Sequence, residues 1–306
     1  MGLTLLEAAK TEQDAARVAV IRELAESELI SAIPFRNTEG GGLDYMVESD
    51  LPSVGFRGFN ETLDDTVGVL NPQYERLKIF GGDIDVDTAQ IDMQGEQARA
   101  DQIQMKIRSM RLTFEDYCIN GSEATDPRAF DGLKTRIITT SSQAVNVNGA
   151  LSLGALDELM DAVDSGSGEK VLIMNKTMRR RITAASRNTS VGGFITYSQN
   201  EFGRTVTRYN DARIIVTDTN AQNVAIQPFT EASSSTSIYC VSFGDLLTTA
   251  LQGRARGTFG INVRPLGEVD DAPVDRTRIE WCVGMAIMNG RSAARAYGIT
   301  NAAVTA

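Results

Sequence analysis

The sequence predicts an α+β protein, and three observations carry this prediction. Residues 95–119 place apolar side chains at helical spacing over a long stretch. Before this helix, apolar and polar side chains alternate in residues 43–50, and a second extended run covers residues 73–87, as in β-strands. After it, residues 153–243 alternate between helical and strand patterns, which is typical of an α/β layer.

The first element is an amphipathic helix over residues 11–31. Thr11 can cap it, acidic residues follow in the first turn, and Pro34 ends it. Its apolar face is formed by Val18, Ile21, Ala25 and Leu29. Because no element next to it in sequence covers this face, we expect the helix to dock on the body of the protein or on another chain.

The next stretch, EGGGLDYMVESDLPSVGFRGFNE at residues 39–61, is compatible with a ligand-binding loop, a linker, or a strand that lies on a neighbour. The alternation in residues 43–50 is too regular for a linker. The glycines at 40–42 precede a strand rather than a helix N-terminus, so we interpret them as a hinge. Residues 51–72 then join two strands of a long hairpin, which is marginally stable alone and is expected to rest on a neighbour. In the second run, Gly81 and Gly82 predict a bulge or bend.

The helix over residues 95–119 is the strongest pattern in the chain, and at 1.5 Å per residue it is about 37 Å long. We interpret its apolar stripe as core rather than as a cofactor site. The stripe consists of Ile103, Ile107, Met110, Phe114 and Tyr117.

The rest of the chain divides at a segment rich in Asn, Gly and Ser, residues 146–154, where we place a domain boundary. The elements predicted beyond it are helices at 153–163 and 176–188, strands at 170–175, 212–218 and 237–243, and two long strands at 257–269 and 277–288 joined by a turn at 270–275. One face of the last strand carries Trp281, Val283, Met285 and Ile287.

Composition narrows the possible functions. The net charge of −10 and the pI of about 4.7 argue against a general nucleic-acid surface, which needs clustered Lys and Arg. One predicted helix is basic, and we favour a solvated face or inter-subunit salt bridges over nucleic-acid contact for it. Its basic residues are Lys176, Arg179, Arg180, Arg181 and Arg187.

The residue types disfavour most catalytic and metal sites. The chain has no histidine, which excludes His-dependent triads and the usual zinc sites. Cys118, Cys240 and Cys282 are widely spaced, so we expect buried thiols in a reducing cytosol. The N-terminal sequence matches neither a signal peptide nor a myristoylation site, and no apolar run is long enough to span a membrane. We therefore expect a cytoplasm-like compartment and no membrane contact.

Three patterns invite a chemical interpretation, and each has a simpler one. GSGEK at 166–170 lacks the Lys-Ser/Thr ending of a phosphate loop and is interpreted as a turn. Asp83, Asp85 and Asp87 are spaced like calcium ligands but lack the Gly and Glu of that loop, so a strand with one acidic, solvated face is favoured. The pair Asp270 and Asp271 lies in a turn. We find no catalytic constellation and expect no cofactor and no metal; a hydrolase that uses carboxylates alone remains a disfavoured alternative.

The order of elements and three strings resemble the major capsid proteins of tailed bacteriophages, which have the Hong Kong 97 type fold. The strings are INGSEATDPRAFDGLKTRI at 119–137, VLIMNKTMRRRITAASRN at 171–188 and DRTRIEWCVGMAIMNGRSAARAYGI at 275–299. The resemblance implies an N-terminal arm, an extended hairpin loop, a peripheral domain with a long spine helix and a β-sheet, and an α/β axial domain. It implies these boundaries: arm 1–36, extended loop and base strands 37–90, peripheral domain 91–148, axial domain 149–255, and return strands with the C-terminus 256–306.

The same resemblance implies a structural protein rather than an enzyme. Its copies would form hexamers and pentamers and tile an icosahedral shell around phage double-stranded DNA, without sequence-specific binding, in the virion and, during assembly, in the host cytoplasm. Because about 36 residues precede the hairpin, we expect a separate scaffolding protein, with a portal and optionally a decoration protein as further partners. A shell protein of a cellular compartment, like encapsulin, is the alternative. The lysine–asparagine crosslink of some members is not expected, because Lys78 lies at the hairpin base.

In this family the extended loop overlies an adjacent subunit. We therefore expect the inter-subunit contacts of this chain to include the apolar and charged residues around the hairpin tip. These contact candidates are Glu48, Asp50, Phe56, Arg57 and Phe59.

Overall fold

The computed structural model describes residues 21–24, 26–62, 66–164, 166, 168–187, 195–199, 205–232, 234–253 and 260–305. Residues 21–24 are helical. The helices that follow are α1 Glu28–Ala32, α2 Thr88–Gln94, α3 Glu96–Asn120, α4 Leu133–Arg136, α5 Leu153–Asp161 and α6 Lys176–Ser186. The strands are β1 Phe35–Thr38, β2 Gly42–Asp50, β3 Val69–Arg76, β4 Lys78–Asp87, β5 Ala144–Gly149, β6 Glu169–Asn175, β7 Ile195–Gln199, β8 Thr205–Tyr209, β9 Ala212–Thr217, β10 Ser235–Phe243, β11 Thr248–Gly253, β12 Ile261–Val269, β13 Ala272–Ile287 and β14 Ala293–Thr300.

The N-terminal helical region is interrupted. Of the predicted helix 11–31, residues 11–20 and 25 lie outside the described part, and residues 21–24 are followed by a turn and then by α1. The prediction of one helix through residue 31 is therefore wrong. The Ser27 hydroxyl accepts a hydrogen bond from the Ile30 amide (3.2 Å) and caps α1, which restarts the helix. The apolar side chains of this region are buried against the body of the same chain: Ile21, Leu24, Leu29 and Ile30.

Helix α3 confirms the predicted long helix. It begins after Gly95, whose φ of 80° suits glycine and separates α3 from α2. Ile107, Met110 and Phe114 are buried in the main core, and the remaining stripe residues, Ile103 and Tyr117, pack against it. Phe114 contacts Trp281 of β13 (ring centroids 4.9 Å apart), so α3 lies on the sheet as a spine.

Twelve of the fourteen described strands form one sheet, and β2 and β3 form a separate hairpin. Strand β13 pairs with β4 over ten positions, from Val274 opposite Asp87 to Val283 opposite Lys78. The predicted extended run 73–87 is two strands, because the chain leaves the hairpin at Leu77 and joins the sheet.

Of the predicted bulge or bend at Gly81 and Gly82, the bulge is wrong, because the pairing of β4 with β13 shows no register shift. The glycines serve close approach instead. A Cβ on Gly81 would lie 2.0 Å from the Ile279 carbonyl oxygen, and one on Gly82 would meet the Lys106 side chain.

The α/β part has a hydrophobic core on each face of the sheet. In β6, Val171 and Ile173 face the core beneath α3, whereas Leu172 and Met174 face a second core covered by α5 and α6. The predicted helices and strands of this part are confirmed within one or two residues at most ends. The segment 146–154, however, contains most of β5, which pairs with β14. Strands β10 and β11 share one paired position, Phe243 with Thr248.

The acidic face of β4 is covered by ion pairs from β13. Arg278 donates to both carboxylate oxygens of Asp83 (2.7 and 2.8 Å), and Arg276 does so to Asp85 (both 2.6 Å). This confirms the interpretation of the Asp pattern as one polar face of a strand. The hydrogen bonds from these arginines lower the pKa values of both aspartates below the usual 3.8.

These pairs predict a pH dependence of stability. The unfolded chain binds protons at Asp83 and Asp85 near pH 3.8, whereas the folded chain binds them lower, so the stabilisation is present above 3.8 and is lost as the pH falls below it. We expect the double variant Arg276→Ala, Arg278→Ala to lose less stability than the wild type between about pH 5 and pH 3. Urea unfolding at several pH values measures this, with Arg108→Ala as the control. Equal acid sensitivity of both proteins would contradict it.

The cysteines differ in their exposure to solvent. Cys118 and Cys240 are buried, as predicted, but Cys282 is partly exposed, because it lies on the polar face of β13. Within the described ranges, no helix is both long and apolar enough to cross a membrane.

Candidate inter-subunit surface

The hairpin, residues 42–76, is formed by regular pairing. Its register runs from Gly42 opposite Arg76 to Asp50 opposite Val69, with one shift near the tip end. Side chains of β2 alternate as predicted, so that one face is half-buried and the other is exposed. The half-buried face carries Leu43, Tyr45 and Val47; the exposed face carries Asp44, Met46 and Glu48.

The hinge is built from glycines for steric reasons. Gly40 has a φ of 92°, a conformation that favours glycine, and the Leu77 amide donates to the Gly41 carbonyl (2.9 Å). A Cβ on Gly42 would lie 2.4 Å from the carbonyl oxygen of Glu75 across the hairpin. The glycines therefore let both strands leave the body side by side, which supports their interpretation as the hinge of the hairpin.

The base of the hairpin is fixed to the body by an ion pair. The Arg136 guanidinium binds both carboxylate oxygens of Glu75 (2.5 and 2.9 Å) and also donates to the Met285 carbonyl (2.8 Å). The Tyr45 hydroxyl donates to the same carboxylate (3.4 Å). Burial, and then the negative charge of Glu75, raise the pKa of Tyr45 to about 12.

An apolar contact supports the same base. Leu43, Tyr45 and Leu77 pack against a small cluster on the body, formed by Leu251, Ala286 and Met288. The base of the hairpin is thus held by both charge and apolar burial, and the remainder extends away from these contacts.

The tip, residues 51–68, has no regular structure apart from one turn at 59–60 in its described part. Its ends are joined by Ser53 and Thr66, whose hydroxyls lie 3.0 Å apart. The turn is closed by Glu61, whose carboxylate accepts from the Gly58 amide (2.8 Å) and whose carbonyl accepts from Arg57 (3.2 Å). These short-range bonds shape the tip.

Large apolar side chains are concentrated on the hairpin and are exposed. Of the seventeen exposed large apolar residues in the described part of the chain, nine lie between 42 and 76, and Phe56 and Phe59 are fully exposed. A monomeric protein rarely exposes a patch of this kind. The nine are Met46, Leu51, Val54, Phe56, Phe59, Val67, Val69, Leu70 and Tyr74.

The structure gathers the contact candidates in one region. Phe56, Arg57 and Phe59 lie together on the tip, and Glu48 is exposed on β2. Asp50 lies in β2 opposite Val69, with its side chain outside the described part. Lys78 lies away from the tip, at the start of β4, and pairs with Glu123 (2.7 Å).

Two parts of this surface were not predicted. The pair of Glu75 and Arg136 joins residues 61 positions apart, and no local pattern indicates it. The other exposed apolar residues of the tip and of β3 could have been predicted from the sequence. Val54, Val67 and Leu70 lie in segments that have no core to bury them. Among the described residues there is no cluster of three or more potential metal ligands.

Solved structures identify the fold. The SrpI encapsulin of Synechococcus elongatus PCC 7942 matches with a TM-score of 0.67 and 18% identity, over 91% of this chain and 89% of that chain. The capsid of the native GTA particle matches with a TM-score of 0.59 and 13% identity, over 95% and 94%. A structure from Mycobacterium phage Bobi matches with a TM-score of 0.59 and 10% identity, over 88% and 89%. At these identities the matches show the fold alone. No curated protein matches the sequence.

A hairpin beside a spine helix, a large sheet and an α/β layer therefore define the class of Hong Kong 97-like shell folds. The model of the SU10 major capsid protein family matches residues 62–251, which is 190 of the 306 residues. The chain belongs to this family and is a major capsid protein of the phage type, a structural component of the virion. The predicted family and fold are confirmed, and the encapsulin alternative is the weaker one.

Proposed function

We propose that copies of this chain assemble as hexamers and pentamers into an icosahedral shell around phage double-stranded DNA. In this assembly the hairpin of each copy lies on a neighbouring copy, through Phe56, Phe59, Arg57, Glu48 and Asp50. The observation that carries the proposal is the exposed apolar surface of the hairpin, which this chain leaves uncovered within its described part. Covering it on a second copy removes apolar area from water.

We propose the following division of the chain into parts. Residues 1–36 form the arm, 37–90 the extended loop and base strands, 91–148 and 256–306 the peripheral part, and 149–255 the axial part. The single paired position between β10 and β11 supports a junction of two parts between residues 243 and 248, a few residues before the proposed boundary at 255. Within 256–306 there is one exception: strand β14 pairs with β10 and β5, so we assign residues 293–300 to the α/β layer rather than to the peripheral sheet.

We also propose that the chain has no catalytic role, and that a separate scaffolding protein, a portal and optionally a decoration protein assemble with it in the host cytoplasm. The acidic net charge supports enclosing DNA without general adhesion to its phosphates. Nucleic acid in purified particles is expected; particles that hold an enzyme instead would indicate an encapsulin-like compartment.

Deleting the whole predicted loop, residues 51–72, would also remove residues 69–72, which belong to β3. The tip is therefore tested by substitution. We expect Phe56→Ser, Phe59→Ser to leave the free energy of unfolding of the subunit within about 0.5 kcal/mol of the wild type, because both side chains are solvent-exposed. Shell assembly should be strongly impaired, as measured by electron microscopy and sedimentation.

The control variant, Met93→Ser, Leu266→Ser, removes two exposed apolar residues outside the hairpin. It is expected to assemble better than the tip variant. If the tip variant forms shells of wild-type yield and stability, the proposed contact is wrong.

A further inference from the structure

Helices α5 and α6 carry opposite charges. Residues 153–164, which contain α5, include four acidic residues and no basic one. Residues 176–187, which contain α6, include five basic residues and no acidic one. The acidic set is Asp157, Glu158, Asp161 and Asp164; the basic set is Lys176, Arg179, Arg180, Arg181 and Arg187.

Both helices cover the same face of the sheet. Their apolar residues, Leu156 and Leu159 on α5 and Met178 and Ile182 on α6, belong to one core. The segment 301–305 contacts both helices: the Leu153 amide donates to the Thr305 carbonyl (3.0 Å), and Arg181 donates to Asn301. The two helices therefore lie side by side over this face of the sheet, α5 over β5 and β14 and α6 over β6 and β9.

Some of these charges have partners within the chain. Lys176 pairs with Asp218, Asp157 accepts from the Tyr209 hydroxyl (2.7 Å), and Asp164 accepts from the Gly166 amide (3.1 Å). Asp161 lines a surface depression together with Lys170 and Arg291.

Of the other charges, three are exposed and have no ion-pair partner among the described residues; one of these, Arg180, donates to the Thr177 hydroxyl of its own helix (3.3 Å). Arg179 and Arg180 are exposed and form no ion pair with a described residue, and the same holds for Glu158 on α5. Two guanidinium groups and a carboxylate are thus available to a partner.

We propose that α6 of one copy contacts α5 of the next copy, head to tail, in the self-assembly proposed above. A contact of α6 with α6 would oppose like charges, whereas a contact of α6 with α5 pairs opposite ones. Its head-to-tail form, unlike a reciprocal two-fold contact, repeats around a ring, as the proposed hexamers and pentamers require. A polyanion is a less favourable occupant, because DNA on this surface would also approach the carboxylates of α5, in a chain with a net charge of −10.

Exposed ion pairs contribute little energy each, and their main effects are on association rate, register and exclusion of wrong contacts. Reversing the charges of either the acidic or the basic set replaces attraction by repulsion at every contact of the ring. The contact should also weaken as salt screens it.

The test exchanges the charges in two variants and then combines them. We expect Arg179→Glu, Arg180→Glu and, separately, Glu158→Lys, Asp161→Lys to raise the subunit concentration needed for assembly by roughly tenfold. The combined variant, with both patches reversed, should return to within about twofold of the wild type. Light scattering and electron microscopy follow assembly, and circular dichroism follows the fold. Arg108→Glu, Arg128→Glu is the control with the same change of net charge as the Arg179→Glu, Arg180→Glu variant.

Each outcome decides. Rescue in the combined variant supports the contact, and so does weaker wild-type assembly at about 0.5 M salt than at about 0.05 M, a readout that needs no variant. No rescue, or charge variants that assemble like the wild type, would overturn it. Normal assembly of the Arg179, Arg180 variant with less packaged DNA would indicate a polyanion instead. Wild-type protein that never forms shells would instead count against the proposed function.

Discussion

Replacing Trp281 with alanine is expected to lower the free energy of unfolding by about 3–5 kcal/mol, the typical cost of emptying a large aromatic site in a core. Trp281 is completely buried and contacts Phe114 of α3 (centroids 4.9 Å apart) and Phe35 of β1 (5.5 Å). It thus joins the spine helix, the sheet and the N-terminal region. Urea unfolding of the unassembled subunit measures the loss.

Trp281→Phe is the conservative comparison. It should lower the free energy of unfolding by clearly less than Trp281→Ala, because some of the ring contacts remain. Phe56→Ala is the matched control, since it removes a large aromatic residue that is fully exposed, and it should leave unfolding unchanged. A loss below about 1 kcal/mol for Trp281→Ala would show that this aromatic cluster is not the centre of the core.

Replacing Arg136 with methionine is expected to lower the free energy of unfolding by about 2–4 kcal/mol and to loosen the hairpin. The reason is that the substitution leaves the Glu75 carboxylate largely buried without its partner. Both side chains are mostly shielded from solvent, with 15% and 21% of their surface exposed. Since the pair joins β3 to the segment after the spine helix, the loosening should be local. Hydrogen exchange should increase in residues 42–48 and 69–76 and remain low in α3.

Two comparisons sharpen this prediction. Arg136→Lys keeps the charge without the forked geometry and should lie between the wild type and the methionine variant. Lys78→Met breaks an ion pair whose acid, Glu123, is half-exposed. It should therefore lower the free energy of unfolding by less than Arg136→Met does. Unchanged exchange in the hairpin of the Arg136→Met variant would mean that the apolar contacts of Leu43 and Leu77 hold the base without the ion pair.

Local patterns predicted the elements with clear periodicity. The long helix and the strand at 43–50 follow from side chains that repeat at 3.6 or 2 residues, and the structure places both within one residue of the prediction. The break at Ser27 also had a signal, since serine followed by glutamate is typical of a helix start. The periodicity of the flanking residues hid it. Several strands were missed, among them β1, β5 and β14, because they are short or rich in Ala, Asn and Gly and depend on pairing with strands far away in sequence.

The contact surface was only partly predictable for the same reason. Phe56 and Phe59 stand out in a polar, glycine-containing loop, and they are exposed as the hairpin prediction requires. The partner of Glu75 depends on how the chain returns to the hairpin, which no window of sequence contains. Glycine in a strand has two explanations, a bulge or bend and a close approach of another backbone, and at Gly81 the approach of Ile279 is visible only in three dimensions.

Strand β13 gives the subunit a mechanical property. It is 16 residues and roughly 50 Å long, and it pairs with β4 along one edge and with β12 and then β11 along the other. A force along this strand loads all hydrogen bonds to its neighbouring strands at the same time. These bonds then resist in shear and must break together. A pull across it would open the same bonds one after another. A single subunit is therefore expected to resist stretching most strongly along the direction of β13.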